Sequence, residues 1–275
     1  MAGEYYIRSD LLGEVKPDQL LLWASGIAQR ADTAEVYRDK EGRKTLRFRA
    51  INRSFFLKLH SGIGWKEVFK NLLQLRLPVT GADNEYHAIR KLESLGVDTL
   101  SVAAYARSGL NPAHRQSLLV TDDLVGTVSL EDFCANWSRS APSPVVRRRI
   151  ICTLASMSRA MHGAGINHRD YYLCHFHLDP ASLAQTQLRC HLIDLHRAQI
   201  RKAVPTRWRI KDLAGLYFSA MDCGVSERDL LRFVRAYTGR DLRDTLRTQG
   251  QLWAKVRQRA LELYRQEHGR EPPAF

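Results

Sequence analysis

The apolar residues of this 275-residue chain change their period along its length, and that change limits the folds open to it. Residues 45–50 alternate apolar and polar, residues 51–54 offer a turn, and residues 55–60 put Phe55, Leu57 and Leu59 on one face with Lys58 on the other. Alternation of this kind marks half-buried strands, and the pair predicts a hairpin. Apolar residues at 65, 68, 69 and 72 predict an amphipathic helix. A second helix is predicted from about residue 83 to 95, striped by Ile89, Leu92 and Leu95 and stopped by Gly96. Residues 117–121 read as a short strand and 122–127 as a connector. From Ser129 onward the period is helical. Val146, Ile150, Leu154, Met157 and Met161 mark a long buried helix, ended by Gly163 and Gly165. Two short elements follow, around 168–178 and 190–193. The remainder, from Arg209, is helical, with Ser226 as the N-cap of the stretch ending at Thr238. The expected architecture is a two-lobed α+β protein: a β-rich lobe with a helix over residues 1–121, a hinge at 122–128 and a mainly helical lobe over 129–275.

Charge constrains the partner more than the fold. Forty-two Lys and Arg against 29 Asp and Glu leave +13, with a sequence pI near 9.8. A field of that sign concentrates anions without choosing among nucleotide, nucleic acid, phosphorylated glycolipid, anionic membrane or acidic protein. No helix-turn-helix, RNP or zinc signature is present and the basic residues are spread throughout, so nucleic acid is not the expected partner. Five widely spaced cysteines, none in a C-x-x-C pair, predict reduced thiols and exclude a disulfide framework or structural zinc. The first ten residues hold no apolar h-region, and no apolar run is long enough to cross a bilayer. The expectation is a soluble or peripheral protein on the cytoplasmic side.

The strongest chemical signal is His168-Arg169-Asp170, just after the long helix and its glycine stop. Asp194 follows 24 residues later, at the end of an apolar strand in His191-Leu192-Ile193-Asp194-Leu195-His196. This pair has the order and context of a kinase catalytic loop and metal-binding loop. One carboxylate orients or accepts the proton of the attacking hydroxyl, and the other holds Mg²⁺ against the β- and γ-phosphates. Upstream, Lys58 in the second strand and Glu85 at the start of the following helix stand where a kinase keeps its phosphate-binding ion pair. Singly, each has a bland reading: a solvated lysine, and an acid complementing the helix dipole. Together with the two downstream acids they occur in the order that phosphoryl transfer requires. Asp122 and Leu124 in the connector are further candidate nucleotide contacts.

Several stretches resemble the WaaP (RfaP) lipopolysaccharide-core heptose kinases. They are Gly81-Ala82-Asp83-Asn84-Glu85, Ala164-Gly165-Ile166-Asn167-His168-Arg169-Asp170, Cys174-His175-Phe176, Ile193-Asp194-Leu195-His196-Arg197-Ala198-Gln199, Pro205-Thr206-Arg207-Trp208-Arg209 and residues 211–219. The resemblance spans about residues 13–243. It implies a protein-kinase-like fold, ATP and Mg²⁺ as cofactors, and phosphorylation of the first heptose of the lipopolysaccharide inner core. By that match Asp170 is the catalytic base, beside His168 and Arg169, and Asp194 is the principal Mg²⁺ ligand.

The chain departs from an ordinary protein kinase at several points. No Gly-x-Gly-x-x-Gly precedes the strands, and only Gly42, with Arg43 and Lys44 beside it, stands where the phosphates would be capped. His175 replaces the asparagine expected five residues after the catalytic aspartate; a neutral imidazole binds a divalent ion, though less well suited to Mg²⁺ than an amide oxygen. Asp212, 18 residues after Asp194, is the expected anchor of the catalytic loop, and no Ala-Pro-Glu lies between them. That short, basic interval (Arg197, Arg201, Lys202, Arg207, Arg209) suits a small or anionic acceptor better than a peptide. Most of these cations are expected to be solvated, with Arg197 placed to contact phosphate. The helix from Trp65 fits core packing better than a membrane surface, and the basic stretch 253–265 reads as a packed helix with a solvated face.

The expected acceptor is lipopolysaccharide core linked to lipid A, reached by peripheral contact with the inner membrane. An aminoglycoside-like small molecule or a protein tyrosine is an alternative acceptor. A scaffold without catalysis, binding an acidic acyl carrier protein, is an alternative of another class; such a carrier is also compatible with an enzyme as an additional partner.

Overall fold

The computed structural model describes residues 4–30, 34–40, 42–62, 64–65, 81–109, 111 and 114–273. The predicted helix from Trp65 lies outside the described residues beyond 65. Backbone contacts divide the chain into two units, one of residues 1–90 and 100–125, the other of residues 91–99 and 126–275.

The first unit is built on a six-stranded antiparallel sheet. Its strands are β1 (Glu4–Ile7), β2 (Ala34–Lys40), β3 (Arg43–Ala50), β4 (Arg53–His60), β5 (Val102–Ser108) and β6 (Gln116–Asp122), in the order β1-β5-β6-β4-β3-β2. The predicted hairpin is β3–β4, with Ala50 opposite Arg53 across a two-residue turn. Ile51 and Asn52 in that turn both have positive φ, 46° and 57°. This is the left-handed pair whose twist suits a two-residue hairpin. Alternation sends Leu46, Phe48, Phe55, Leu57 and Leu59 into one core, which helix α1 (Leu20–Gln29) covers through Leu20 and Ala24. Trp23 meets Phe48 edge-on, with ring centroids 5.6 Å apart. Sequence periodicity did not mark α1, because its ten residues are almost wholly apolar and show little contrast between faces. Helix α2 (Asp83–Ser94) buries Ala88, Ile89 and Leu92. Leu95, expected in that stripe, falls beyond the helix and is exposed, and Gly96 follows with φ +68°.

The second unit is mainly helical. Helix α3 (Leu130–Cys134) follows a short strand β7 (Val128–Ser129). The long predicted helix is α4 (Pro144–Gly163), capped by the Ser143 hydroxyl and begun by a proline whose missing N–H needs no partner there. Ile150, Leu154, Met157 and Met161 are buried and Val146 is half-buried. Gly165 then takes φ +82°, and a Cβ there would run into the Arg201 carbonyl. That close approach lets β8 (Ile166–Asn167) pair with β11 (Gln199–Ile200). Strands β9 (Phe176–Leu178) and β10 (Cys190–Leu192) pair with each other, and β9 also with β7. Helices α5 (Thr206–Ala220), α6 (Glu227–Thr238) and α7 (Leu242–His268) complete the unit around a core that includes Ala155, Leu213, Tyr237, Val256, Ala260 and Tyr264. Helix α5 begins three residues before the expected Arg209. Ser226 caps α6 as predicted, in a reciprocal capping box with Asp229.

Residues 91–99 group with this unit although they precede β5 and β6. The cause is local: the Leu192 N–H donates to the Asp98 carbonyl at 3.0 Å, and the Thr99 hydroxyl to the Leu192 carbonyl at 2.6 Å. All five cysteines are free thiols. No helix among the described residues is long and apolar enough to cross a membrane.

Candidate active site

In the first unit, β4 fixes Lys58 between Thr45 of β3 and Leu119 of β6, at the centre of the sheet. Its ammonium lies 2.6 Å from Glu85 Oε1, in the first turn of α2. Glu85 is 1% exposed and Lys58 23%. A carboxylate so deeply buried needs a charged partner, and Lys58 supplies it. The helix-dipole reading of Glu85 thus describes only part of its role.

The connector residues behave differently. Both carboxylate oxygens of Asp122 accept from Arg8, at 2.7 and 2.8 Å, and Arg53 approaches at 3.1 Å. Hydrogen bonds to Asp122 and Asp10 hold the Arg8 guanidinium well above its ordinary range. The Asp122 side chain therefore ties β6 to the start of the chain. Leu124 is half-buried. Near the β2–β3 turn Gly42 has φ +69°, while the Lys44 ammonium donates to the Ala28 carbonyl at 2.7 Å, at the end of α1. Lys44 is thereby engaged within the unit.

In the second unit, the catalytic-loop motif is held from below. Asp212 on α5 is fully buried. Its Oδ2 and Oδ1 accept from the backbone N–H groups of His168 and Arg169, both at 2.8 Å. His162 of α4 approaches the same carboxylate at 3.3 Å through Nε2, and its Nδ1 lies 2.9 Å from the Tyr237 hydroxyl. Asp212 was legible as the anchor; His162 and Tyr237 were not, because they come from two helices that only folding brings together. His168 is fully buried, and its Nε2–H donates to the Ile193 carbonyl at 2.9 Å. Burial lowers its pKa, which keeps the ring neutral. His168 thus links the loop before Asp170 to the residue before Asp194. Arg169 has φ +79°, an unfavourable conformation for a side chain with a Cβ.

Asp170 follows with its side chain 17% exposed. One Arg197 nitrogen donates to both carboxylate oxygens, at 2.8 and 3.0 Å. Arg197, expected to contact phosphate, thus holds the candidate base in this structure. The Asp170 carbonyl accepts from His175 Nδ1 at 2.7 Å. Pairing of β9 with β10 carries the chain on to Ile193, whose N–H donates to the His175 carbonyl at 2.9 Å, and so brings His175 beside Asp194. His175 Nε2 then lies 3.5 Å from Asp194 Oδ2, and His196 Nδ1 lies 2.7 Å from Oδ1. Burial disfavours the His175 cation, yet hydrogen bonds to Cys174 and the Asp170 carbonyl, with the Asp194 charge, outweigh it and raise its pKa to about 9. Asp194 itself has φ 61° and ψ 48°, which turns its carboxylate out of the strand.

A buried acid that anchors a loop, an acid at the end of that loop, and a second acid after a short strand are the parts that position an acceptor and a metal–phosphate group. A model of the lipopolysaccharide kinase (Kdo/WaaP) family matches residues 28–237. The chain belongs to that family. It is 52% identical over 213 residues to the lipopolysaccharide core heptose(I) kinase WaaP of Escherichia coli K12, spanning 77% of this chain and 80% of that protein. To the protein of the same description from Pseudomonas aeruginosa PAO1 it is 48% identical over 239 residues, 86% of this chain and 89% of that one. A solved structure described as WaaP in complex with acyl carrier protein matches with a TM-score of 0.78 at 38% identity, covering 95% of this chain and 99% of the other. This kinase is therefore an ATP-using phosphotransferase of lipopolysaccharide core biosynthesis, with the protein-kinase-like architecture that the motifs implied.

Proposed function

We propose that this kinase transfers the γ-phosphoryl group of ATP to a hydroxyl of the first heptose of the lipopolysaccharide inner core. The observation that carries the reading is the placement of Asp170, partly exposed at the end of a loop whose backbone is fixed by the buried Asp212. Asp170 orients the acceptor hydroxyl and takes its proton as the oxygen attacks. Arg197 holds the carboxylate in place between turnovers. His168 and Arg169 set the loop, through the Ile193 carbonyl and the Asp212 carboxylate. Lys58 binds the α- and β-phosphates while Glu85 fixes its direction. Asp122, through its ion pairs with Arg8 and Arg53, secures the connector, and Leu124 offers an apolar contact for the adenine.

Asp194 is the candidate Mg²⁺ position; His175 lies beside it, and with its pKa raised to about 9 the ring would join the ion only on giving up its proton. Magnesium keeps several waters and phosphate oxygens and needs only one or two protein groups. No cluster of three or more metal-binding side chains occurs among the described residues, and a site resting on the Asp194 carboxylate fits that preference. When bound, the ion neutralises charge on the transferring phosphates.

The reading sets the enzyme at the cytoplasmic face of the inner membrane, where a lipid-linked acceptor resides. An acyl carrier protein is a further partner, by analogy with the complexed relative. Two features of the second unit support it. A cavity of about 430 Å³ is lined largely by apolar side chains, among them Ile150, Leu154, Leu230 and Trp253. It shares Leu231 with a groove bearing Arg148, Arg228, Arg235 and Arg240, a complement for an acidic protein. A complex that fails to survive gel filtration at low salt would remove this partner.

The test of the reaction is transfer of labelled phosphate from ATP-Mg²⁺ to heptose-bearing lipopolysaccharide lacking core phosphate. Label should enter the glycolipid with the wild type and fall by several orders of magnitude in folded Asp170→Ala and Asp194→Ala proteins, the scale of lost positioning groups. Substantial residual transfer in either variant would refute its assigned role.

A further inference from the structure

Positive charge accumulates beside Asp170 beyond what its carboxylate can answer. The Trp208 ring, on the first turn of α5, gathers three cations: the Arg169 guanidinium at 5.2 Å, that of Arg207 at 5.3 Å and the Lys211 ammonium at 5.7 Å. Among the described residues neither Arg169 nor Lys211 makes a side-chain hydrogen bond or close ion pair, and Arg169 Nε is buried without a partner. Burial, and then the neighbouring Arg197 guanidinium, lower the pKa of both. The ring attracts these cations but cannot neutralise them. Asp212 is occupied by two backbone N–H groups, and Asp170 by Arg197. Half-buried like charges crowded in this way call for an anion.

That anion belongs with the acceptor. Asp194, the candidate metal ligand, is bracketed by His175 and His196, whereas Arg197 touches Asp170 and acts electrostatically on both Arg169 and Lys211. We propose that Arg169 and Lys211, gathered on the Trp208 ring, form together with Arg197 on Asp170 a subsite for a carboxylate or phosphate already carried by the acceptor next to the hydroxyl that is phosphorylated. The inference rests on Asp170 being the acid that orients the acceptor. It makes the kinase selective for anionic sugar chains, with Arg197 bridging Asp170 and the bound anion so that the charge sets the position of the reacting hydroxyl.

The test compares the wild type with Lys211→Met and Lys211→Arg on three acceptors: the core glycolipid lacking only the phosphate that this kinase adds, the same with its carboxylates reduced to alcohols, and the same with its remaining phosphates removed. Lys211→Met should raise the acceptor KM by about tenfold or more, the scale of a lost charged hydrogen bond, with the ATP KM near wild type; Lys211→Arg should restore most of it. The difference between wild type and Lys211→Met should vanish on the carboxyl-reduced acceptor if the group is a carboxylate, and on the dephosphorylated one if it is a phosphate. Calorimetric binding of the same three acceptors, deacylated, to Asp170→Asn protein with and without Lys211→Met reads this dependence without turnover. Acceptor affinity indifferent to Lys211 or to acceptor charge would overturn the subsite, as would a defect confined to the ATP KM. Wild type that transfers nothing while charge-dependent binding persists would refute the proposed reaction and leave the subsite standing.

Discussion

Replacing Asp212 by asparagine tests whether the catalytic loop is positioned from α5. Each Asp212 oxygen accepts one backbone N–H at 2.8 Å, and the residue is wholly buried. Asparagine keeps one acceptor and turns an NH₂ toward the other N–H, so one bond to a charged group is lost and one buried donor is left facing another. A hydrogen bond to a charged group contributes about 1.5–3 kcal/mol, and an unsatisfied buried donor costs about 1–3 kcal/mol. Because these overlap, the expected destabilisation is about 2–4 kcal/mol. For a protein of this size that lowers Tm by roughly 4–16 °C, at about 2–4 °C per kcal/mol. The kinetic effect should be larger in proportion. Arg169 is held at φ +79° next to this anchor, a conformation that costs on the order of 1–3 kcal/mol. Releasing its N–H lets the loop relax and carries Asp170 with it. A displacement near 1 Å at a reacting group costs about 100-fold in rate. The assay is thermal unfolding alongside kcat for labelled transfer, with ATP binding measured separately. An Asp212→Asn protein with wild-type Tm and kcat would refute the anchoring argument. Loss of ATP binding with unchanged kcat would show that the carboxylate acts elsewhere.

Three further perturbations follow from the same geometry. Lys58→Met leaves Glu85, 1% exposed, without its partner; about 3–5 kcal/mol of stability should be lost, and Lys58→Met/Glu85→Gln should recover part of it while ATP binding stays weak, as read by denaturant unfolding and nucleotide titration. Gly165→Ala meets the Arg201 carbonyl at φ +82°; it should lower Tm by several degrees and impair transfer, because β8 leads directly into His168. Asp229 is buried, which opposes its charge, but hydrogen bonds from Ser226 and Arg147 more than compensate and hold its pKa below the ordinary value. A carboxylate lowered on folding adds stability that is fully present above its unfolded pKa of about 3.9 and is lost as pH falls through the folded value. Asp229→Asn should therefore be less stable than wild type at neutral pH, with the gap closing at the acid end of a pH series of urea unfolding.

Much of the candidate site was legible because phosphoryl transfer requires particular residues in a fixed order. Lys58, Glu85, Asp170, Asp194 and Asp212 could be singled out from strand, helix and loop context alone. The elements that carry them were legible for a related reason. Period-two alternation in β3 and β4, the stripe of α4 and the Ser226 capping signal all act over a few residues, where the chain's own geometry decides what is buried. Partner choice was not legible. Arg197 lies 27 residues from Asp170, and Arg8 lies 114 from Asp122, yet these pairs decide what each acid can do. Sequence put Arg197 at phosphate and Asp122 at the nucleotide. The structure adds the protein partner of each, Asp170 for the first and Arg8 with Arg53 for the second. The same holds for His162 and Tyr237 behind Asp212, and for the cations around Trp208. Local patterning settles which faces are buried, since adjacent residues share one backbone. Ion pairs and cation clusters depend on distances of a few ångströms between segments remote in sequence, and only the folded chain sets those.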